Sequence, residues 1–298
     1  MKSLQIKKIL VPLDFSKTGL LALEHAVFMA RLHKADLYLL HTIEISETMY
    51  SIYNPAVIVR DMKEVEKIVL KELGELAAKI KKEHSLTVKA FCSRGQVAVE
   101  IITAVKENDI DLVIMGTHGA KGFSELFIGS NAHKTVTMCP CPVITVQTHA
   151  KKIGFTSIVL PIDDSFPSRQ KVYPAINLAK KYGATIHIIG LLDKSRDTNL
   201  NKFQFKLDSV EKAVKKSGLA YDCKIVKGDS LAVAALKYSK KVKADLIVIL
   251  TDHESNLTGM FLGAFAKQIV NHSRIPVMSI RPDEGIYESV SLAGANPF

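Results

Sequence analysis

Asp111-Leu112-Val113-Ile114-Met115-Gly116-Thr117-His118-Gly119-Ala120-Lys121-Gly122-Phe123-Ser124-Glu125-Leu126-Phe127-Ile128-Gly129-Ser130 leads directly into Asn131-Ala132-His133-Lys134-Thr135-Val136. The apolar run that opens it reads as a buried parallel strand, and the residues that close it read as a helix. Between them the pattern is Gly, two residues, Gly, nine residues, Gly-Ser. A strand that opens through glycines into a helix makes an anion site. Glycine lets backbone N–H groups come close to a phosphate, and the helix N-terminus adds unpaired donors and positive potential. Gly116, His118 and Gly119 on one side, with Gly129, Ser130 and Asn131 on the other, form the candidate cradle. Lys121 either neutralises phosphate charge or stands in solvent. His118 and His133 have no orienting partner legible in the sequence, so neither is expected to be a general base.

Outward from this stretch, strands and helices alternate. A strand at 6–13 is followed by a helix from an N-cap at Ser16 to about His33, with Leu20, Leu23, Val27 and Ala30 on one face. Then come a strand at 36–43, an irregular segment at 44–56, and a long helix to about Glu83. A strand at 87–93, a helix at 97–106, the strand at 111–115 and a closing strand at 142–147 complete the set. Such alternation implies right-handed crossovers and a parallel sheet, with ligands outside the carboxyl ends of the strands. Asp14 ends the first strand. Its carboxylate suits ribose hydroxyls or Mg²⁺ between phosphates, and equally the capping of the helix that starts near Ser16.

The pattern occurs twice. Leu10-Val11-Pro12-Leu13-Asp14-Phe15-Ser16 aligns with Val159-Leu160-Pro161-Ile162-Asp163-Asp164-Ser165. Further on, Gly95 meets Gly228, Asp111 meets Asp245, Gly129 meets Gly263 and Pro142 meets Pro276. A repeat this long means tandem globular domains. The expected division is residues 1–150 and 151–298, joined by the polar stretch Thr148 to Phe155, with a loosely held C-terminal tail.

The glycine pattern, the opening Lys8-Ile9-Leu10-Val11-Pro12-Leu13-Asp14-Phe15-Ser16 and the closing Cys141-Pro142-Val143-Ile144-Thr145-Val146 resemble the ATP-binding branch of the universal stress protein family. The resemblance is close over residues 5–147 and looser over 156–281. It implies two doubly wound α/β domains, each a five-stranded parallel sheet in the order 3-2-1-4-5 flanked by helices. It also implies that Asp14 lies at the nucleotide, that Thr42 meets adenine through its backbone, and that Pro12 and Leu13 line the same pocket. The ligand would be ATP, ADP or AMP, with Mg²⁺ as an admissible companion. The function implied is an adenine-nucleotide-binding stress regulator, sensor-like, with slow hydrolysis at most.

Two other classes stand beside it. An ATP-dependent enzyme of the related superfamily, a hydrolase or adenylyl transferase, shows a Ser-Gly-Gly loop after the first strand or a His-x-Gly-His motif. Neither is present after Pro12-Leu13-Asp14. A partner-binding scaffold is the third. The apolar strands 142–147 and 276–280 are candidate dimer edges, either between two chains or between the two copies of one chain. The client protein is not legible.

The second copy departs from the motif. Leu250 replaces the first glycine, His253 the second and Ala264 the serine, while Asp252 and Glu254 add negative charge. It reads as a degenerate site, so one nucleotide per chain is expected. Asp252, His253 and Glu254 are too close in sequence to converge as metal ligands.

Composition bounds the rest. Over 298 residues, 47% hydrophobic content supports real cores. No apolar run approaches membrane-span length and no signal peptide is evident, so a cytoplasmic location is expected. Residues 1–150 carry 18 Lys+Arg against 16 Asp+Glu, a net of +2; the remainder carries 22 against 14, a net of +8. The lysines at 212, 215, 216, 237, 240, 241 and 243 read first as solvated helix faces and second as a docking surface for an acidic partner, an anionic membrane or nucleic acid. No nucleic-acid motif accompanies them. Cys139-Pro140-Cys141 lacks the two-to-four-residue spacing of zinc ligand pairs, so all four cysteines are expected to be packing residues or idle thiols.

Overall fold

The computed structural model describes residues 5–44, 55–117, 128–165, 167–195, 198–251, 253–256 and 259–282, with the side chains of 55–61, 167, 253–256 and 259–261 set aside. In the first half, β1 (Lys8–Pro12) is an apolar central strand and α1 (Lys17–His33) follows it. Ser16 caps α1 as expected: its Oγ accepts the Gly19 N–H at 3.1 Å. The helix ends at Lys34, whose left-handed φ of 55° lets its N–H close back onto Ala30 and Arg31. Ala22, Ala26 and Ala30 form its fully buried stripe, and their small side chains bring the helix axis close to the sheet. Next come β2 (Asp36–Glu44), α2 (Pro55–His84), β3 (Val88–Gly95), α3 (Val97–Glu107), β4 (Leu112–Gly116), α4 (Ser130–Met138) and β5 (Val143–Val146).

The second half repeats this with β6 (Ser157–Ile162), α5 (Val172–Tyr182), β7 (Thr185–Asp193), α6 (Leu200–Lys216), β8 (Tyr221–Gly228), α7 (Leu231–Lys241), β9 (Leu246–Leu250), α8 (Ala264–His272) and β12 (Val277–Ile280). Two extra strands, β10 (His253–Asn256) and β11 (Gly259–Leu262), form an antiparallel hairpin between β9 and α8. Sequence reading treats this stretch as loop. Between the two strands the sequence reads Leu257-Thr258, with none of the Asn-Gly or Asp-Gly chemistry that signals a two-residue hairpin.

The strand order is β3-β2-β1-β4-β5-β12-β9-β6-β7-β8, one continuous ten-stranded sheet. Each half is ordered 3-2-1-4-5 and is parallel within itself. The two closing strands pair antiparallel across the middle: Val277 faces Thr145, Met278 faces Ile144 and Ser279 faces Val143. The apolar edges singled out in the sequence therefore satisfy one another within one chain. Ile144 and Met278, fully buried, make the core continuous through this seam.

The Asp111 and Asp245 correspondence has a structural cause. Asp111 Oδ2 accepts the N–H groups of Lys7 and Lys8 at 2.8 and 2.9 Å, clamping the start of β1 to the start of β4. Asp245 does the same for Thr156 and Ser157 at the start of β6. The connection between the halves is held down by His25 of α1. Its Nε2 donates to the Ala150 carbonyl at 3.0 Å and its ring stacks 5.8 Å from Phe155. Among the described residues no helix is long and apolar enough to cross a membrane.

Candidate functional site

The turn from β1 to α1 is held from several sides. Leu13 N–H donates to the Leu40 carbonyl at 2.8 Å. His41 Nδ1 donates to the Leu13 carbonyl at 2.7 Å, since a carbonyl only accepts. Asp14 Oδ1 accepts both the Ser16 N–H (3.1 Å) and the Ser16 hydroxyl (2.6 Å). Between them Phe15 sits at φ 57°, a left-handed conformation unusual for a bulky residue. Strain of this kind persists where the surroundings over-determine it, and it concentrates at ligand sites. The two readings of Asp14 thus coexist in the geometry: one oxygen braces the helix entry, and the residue lies at the mouth of the crevice.

Two glycines make this turn fit. A Cβ on Gly19 would lie 2.7 Å from Asp14 Oδ1. A Cβ on Gly116, at the tip of β4, would lie 2.9 Å from the carbonyl carbon of Thr18 and 3.0 Å from the amide nitrogen of Gly19. Sequence reading assigns Gly116 to phosphate approach. The first turn of α1, packed against the end of β4, also requires glycine there.

Across the crevice, α4 starts at Ser130. Its N-cap is Gly129, which has no side chain to satisfy the first-turn N–H groups. Gly129 is anchored by its own N–H to the Thr117 carbonyl at 2.8 Å. Its φ of −61° is open to any residue.

A cleft of about 380 Å³ lies between these elements, within the range of small-molecule sites. Pro12, Leu13, Asp14, Thr42, Gly116, Gly129, Ser130 and Asn131 all line it. His118 and Gly119 lie outside the described residues, as does Lys121. The cleft also takes in Gly19, Leu40, His41, Glu44, Val97, Met115, Thr117 and Ala132, which sequence reading did not select. Gly19 carries a signal in retrospect, an isolated glycine in the first turn of a helix. The others come from β2, from the end of β4 and from the starts of α3 and α4, and carry none. Thr42 keeps its side chain on Ser93, Oγ1 to Oγ 3.1 Å, leaving its backbone at the end of β2. His133, on α4, is held below the usual imidazole range, first by burial and then by the Lys267 ammonium.

The cleft's residues suit a nucleotide. The amides at the start of α4, without a side-chain cap, suit an anion, Leu40, Val97 and Met115 offer apolar lining that suits a base, and the Asp14 carboxylate suits a ribose or a phosphate-bound cation. Among the described residues there is no cluster of three or more metal-ligating side chains. A Mg²⁺ here would therefore rely on Asp14 and the phosphates themselves, the usual arrangement for that ion.

The second half builds the same corner differently. α5 ends at Tyr182, the counterpart of His33, but begins at Val172, after a short 3-10 turn at Pro167–Arg169. The first turn that packs on Gly116 thus has no helical counterpart, and Leu250 occupies the Gly116 position, buried at 4% exposure. Lys171 is buried at 3% exposure and its Nζ donates to Ser168 Oγ at 3.1 Å. Burial pushes the Asp163 carboxyl up, but the Lys171 ammonium and the bonds from Ser165 and Ser168 outweigh it, holding Asp163 below the usual carboxylate range. Ala22 stands where Lys171 does in the repeat. The second half carries its own cation beside its aspartate. Gly263, the N-cap of α8, is buried, whereas Gly129 is half-open and Ser130 exposed. Asp252 lies outside the described residues.

The second half also reaches the first half's cleft. Asn271 of α8 accepts the Ile128 N–H at 3.3 Å, one residue before Gly129. The counterpart of Asn271 is Thr137, whose hydroxyl instead bonds the His133 carbonyl at 2.9 Å within its own helix. Among the described residues the cross-seam bond has no mirror image.

Comparison with known proteins adds the following. The model for "Universal stress protein family" matches residues 5–147 and 154–281. Universal stress protein YxiE of Bacillus subtilis is 31% identical over 146 residues, 47% of this chain and 98% of that protein. A universal stress protein of Methanocaldococcus jannaschii is 30% identical over 150 residues, 49% of this chain and 85% of that protein. Each of these relatives thus matches about half of the chain. A solved universal stress protein from Archaeoglobus fulgidus has a similar fold over the whole length, with TM-score 0.72 and 20% identity, covering 95% of this chain and 99% of that one.

Proposed function

The chain belongs to the universal stress protein family, and from that premise we propose that it is a stress-response regulator that binds one adenine nucleotide, ATP or its products, in its first half. The chain divides in this reading into a nucleotide-binding domain, residues 1–150, and a degenerate domain, residues 151–298. It works in the cytoplasm as a sensor for a protein client. The observation that carries the reading is the single cleft shared by Asp14, the end of β2 and the uncapped start of α4. The phosphates meet the amides of Ser130 and Asn131, the adenine meets the backbone at Thr42, and Asp14 holds the ribose or a bridging Mg²⁺. His118 and Gly119 belong to the same cradle through the glycine motif. Hydrolysis is slow or absent. His133, held neutral by burial and a nearby lysine, has no orienting carboxylate among its described contacts.

Calorimetric titration with ATP tests this. The expected stoichiometry is one per chain. Gly129→Val places a branched side chain over the amide cradle and is expected to weaken binding at least tenfold, about 1.4 kcal/mol. Gly263→Ala is expected to leave affinity unchanged. Unaltered affinity in Gly129→Val, or two sites per chain, overturns the assignment. A turnover above about one per second, an ordinary enzyme rate, that disappears in Asp14→Ala overturns the sensor reading.

A further inference from the structure

We propose that Cys139 and Cys141 form a dithiol modification site, which hydroperoxides oxidise to an intramolecular disulfide. The inference is independent of the nucleotide reading and departs from the expectation of idle thiols. The two sulfurs lie 3.6 Å apart. A disulfide needs about 2.05 Å, so side-chain adjustment of roughly 1.5 Å closes the bond.

The proximity is built into the turn. Cys139 is the C-cap of α4, and Pro140 fixes it at φ −66°, ψ 130°. The second half makes the same turn at Ser273-Arg274-Ile275, with Ser273 at φ −68°, ψ 138°. There the Ser273 hydroxyl reaches the same distance along the chain, accepting the Ile275 N–H at 3.2 Å and donating to the Ile275 carbonyl at 2.7 Å. This turn folds its first position onto its third in both halves. In the first half both positions carry thiols.

The chemistry follows from the pairing. The two thiols hydrogen-bond each other, and the contact with Cys141 holds the Cys139 thiol below its ordinary range despite burial. Cys139 is therefore the attacking sulfur, while the half-buried Cys141 links it to solvent. Cys139 bonds to one peroxide oxygen as the O–O bond breaks, giving a sulfenic acid and one water. Cys141 then displaces that oxygen as a second water, and the S–S bond forms. Two thiols lose two electrons and two protons, and hydrogen peroxide takes up both. Cys92 and Cys223 are poor competitors. Burial pushes both thiols up, Cys223 to about 11.

The test treats the reduced full-length protein with one equivalent of hydrogen peroxide. Remaining thiols are then alkylated under denaturing conditions, and the tryptic peptide Thr135–Lys151 is weighed. The expected result is a peptide two hydrogens lighter with neither cysteine alkylated, formed at least tenfold faster than any loss of alkylation at Cys92 or Cys223. Cys139→Ser, which installs the residue the second half uses, and Cys141→Ser are each expected to abolish that species. Alkylation of both cysteines after peroxide is consumed, a sulfinic acid on either one, or a disulfide between two chains overturns the proposal. The wild-type peptide alone decides if a variant does not fold.

Discussion

Gly116→Ala puts one methyl group where β4 meets α1. That carbon would stand 2.9 Å from the Thr18 carbonyl carbon, 3.0 Å from Gly19 N and 3.0 Å from Thr18 Cβ. Ordinary carbon contacts lie at about 3.5–4.0 Å. Two of the three neighbours are backbone atoms, so no rotamer change relieves the clash. Overpacking of this kind costs about 1–3 kcal/mol. The alternative is to displace the first turn of α1, which gives up the Ser16 cap, itself worth about 0.5–2 kcal/mol. The two costs do not add, because the displacement that incurs the second relieves the first. A loss of about 2 kcal/mol is expected in urea unfolding followed by circular dichroism. The same displacement moves Asp14 and Gly19, so ATP affinity is expected to fall at least tenfold. Gly74→Ala is the control. Gly74 is an exposed position in α2 where a Cβ meets nothing within 4 Å, and a gain of about 0.5–1 kcal/mol is expected there. Gly116→Ala with wild-type stability and wild-type ATP affinity would refute the packing argument and return Gly116 to the phosphate role read from sequence.

Two further outcomes are expected. Lys171→Met removes the buried cation whose field holds Asp163 low, so a loss of stability is expected near neutral pH. Asp163 is held low in the folded state, so its contribution is present above the unfolded carboxylate range and lost as pH falls through the folded value. Without Lys171, burial carries the Asp163 carboxyl back up, so the variant's stability should fall less steeply with acid than wild type's; identical acid limbs in urea titrations would count against the coupling. Burial keeps His25 below the usual imidazole range and His33 at about 4, while the unfolded chain takes up these protons near pH 6.5. Stability should then be full above about 6.5 and fall as pH drops from there towards 4. His33→Gln should flatten that slope, and an unchanged slope removes His33 from the account.

Most of the fold is legible in the sequence because local and global signals agree. The apolar runs, the Ser16 cap and the repeat all point to two doubly wound halves, and in the first half the observed strands and helices fall within a residue or two of those expectations. The seam is legible as two unpaired apolar edges, Val143–Val146 and Val277–Ile280. What stays hidden depends on contacts between segments distant in sequence. Gly116 looks like a ligand glycine because nothing local places Thr18 above it. Lys171 looks like one more solvated lysine, since its sequence neighbours do not reveal Asp163 beside it. Asn271 lies 143 residues from Ile128, and no motif links them. Residues with backbone roles at strand ends, such as His41, are also invisible to pattern.

The β5–β12 seam has a consequence for how the molecule behaves in dilution. Two separate chains that met along such an edge would part once their concentration dropped below their dissociation constant. Here the short segment after β5 keeps the second edge at an effective concentration in the millimolar range for linked partners, so pairing does not depend on how much protein is present. Joining the halves also releases them from identity. In a pair of equal chains every substitution appears on both sides of the axis. In this chain Lys171 faces no lysine at position 22, and Asn271 steadies a loop whose counterpart receives nothing in return. One half is free to diverge from the other.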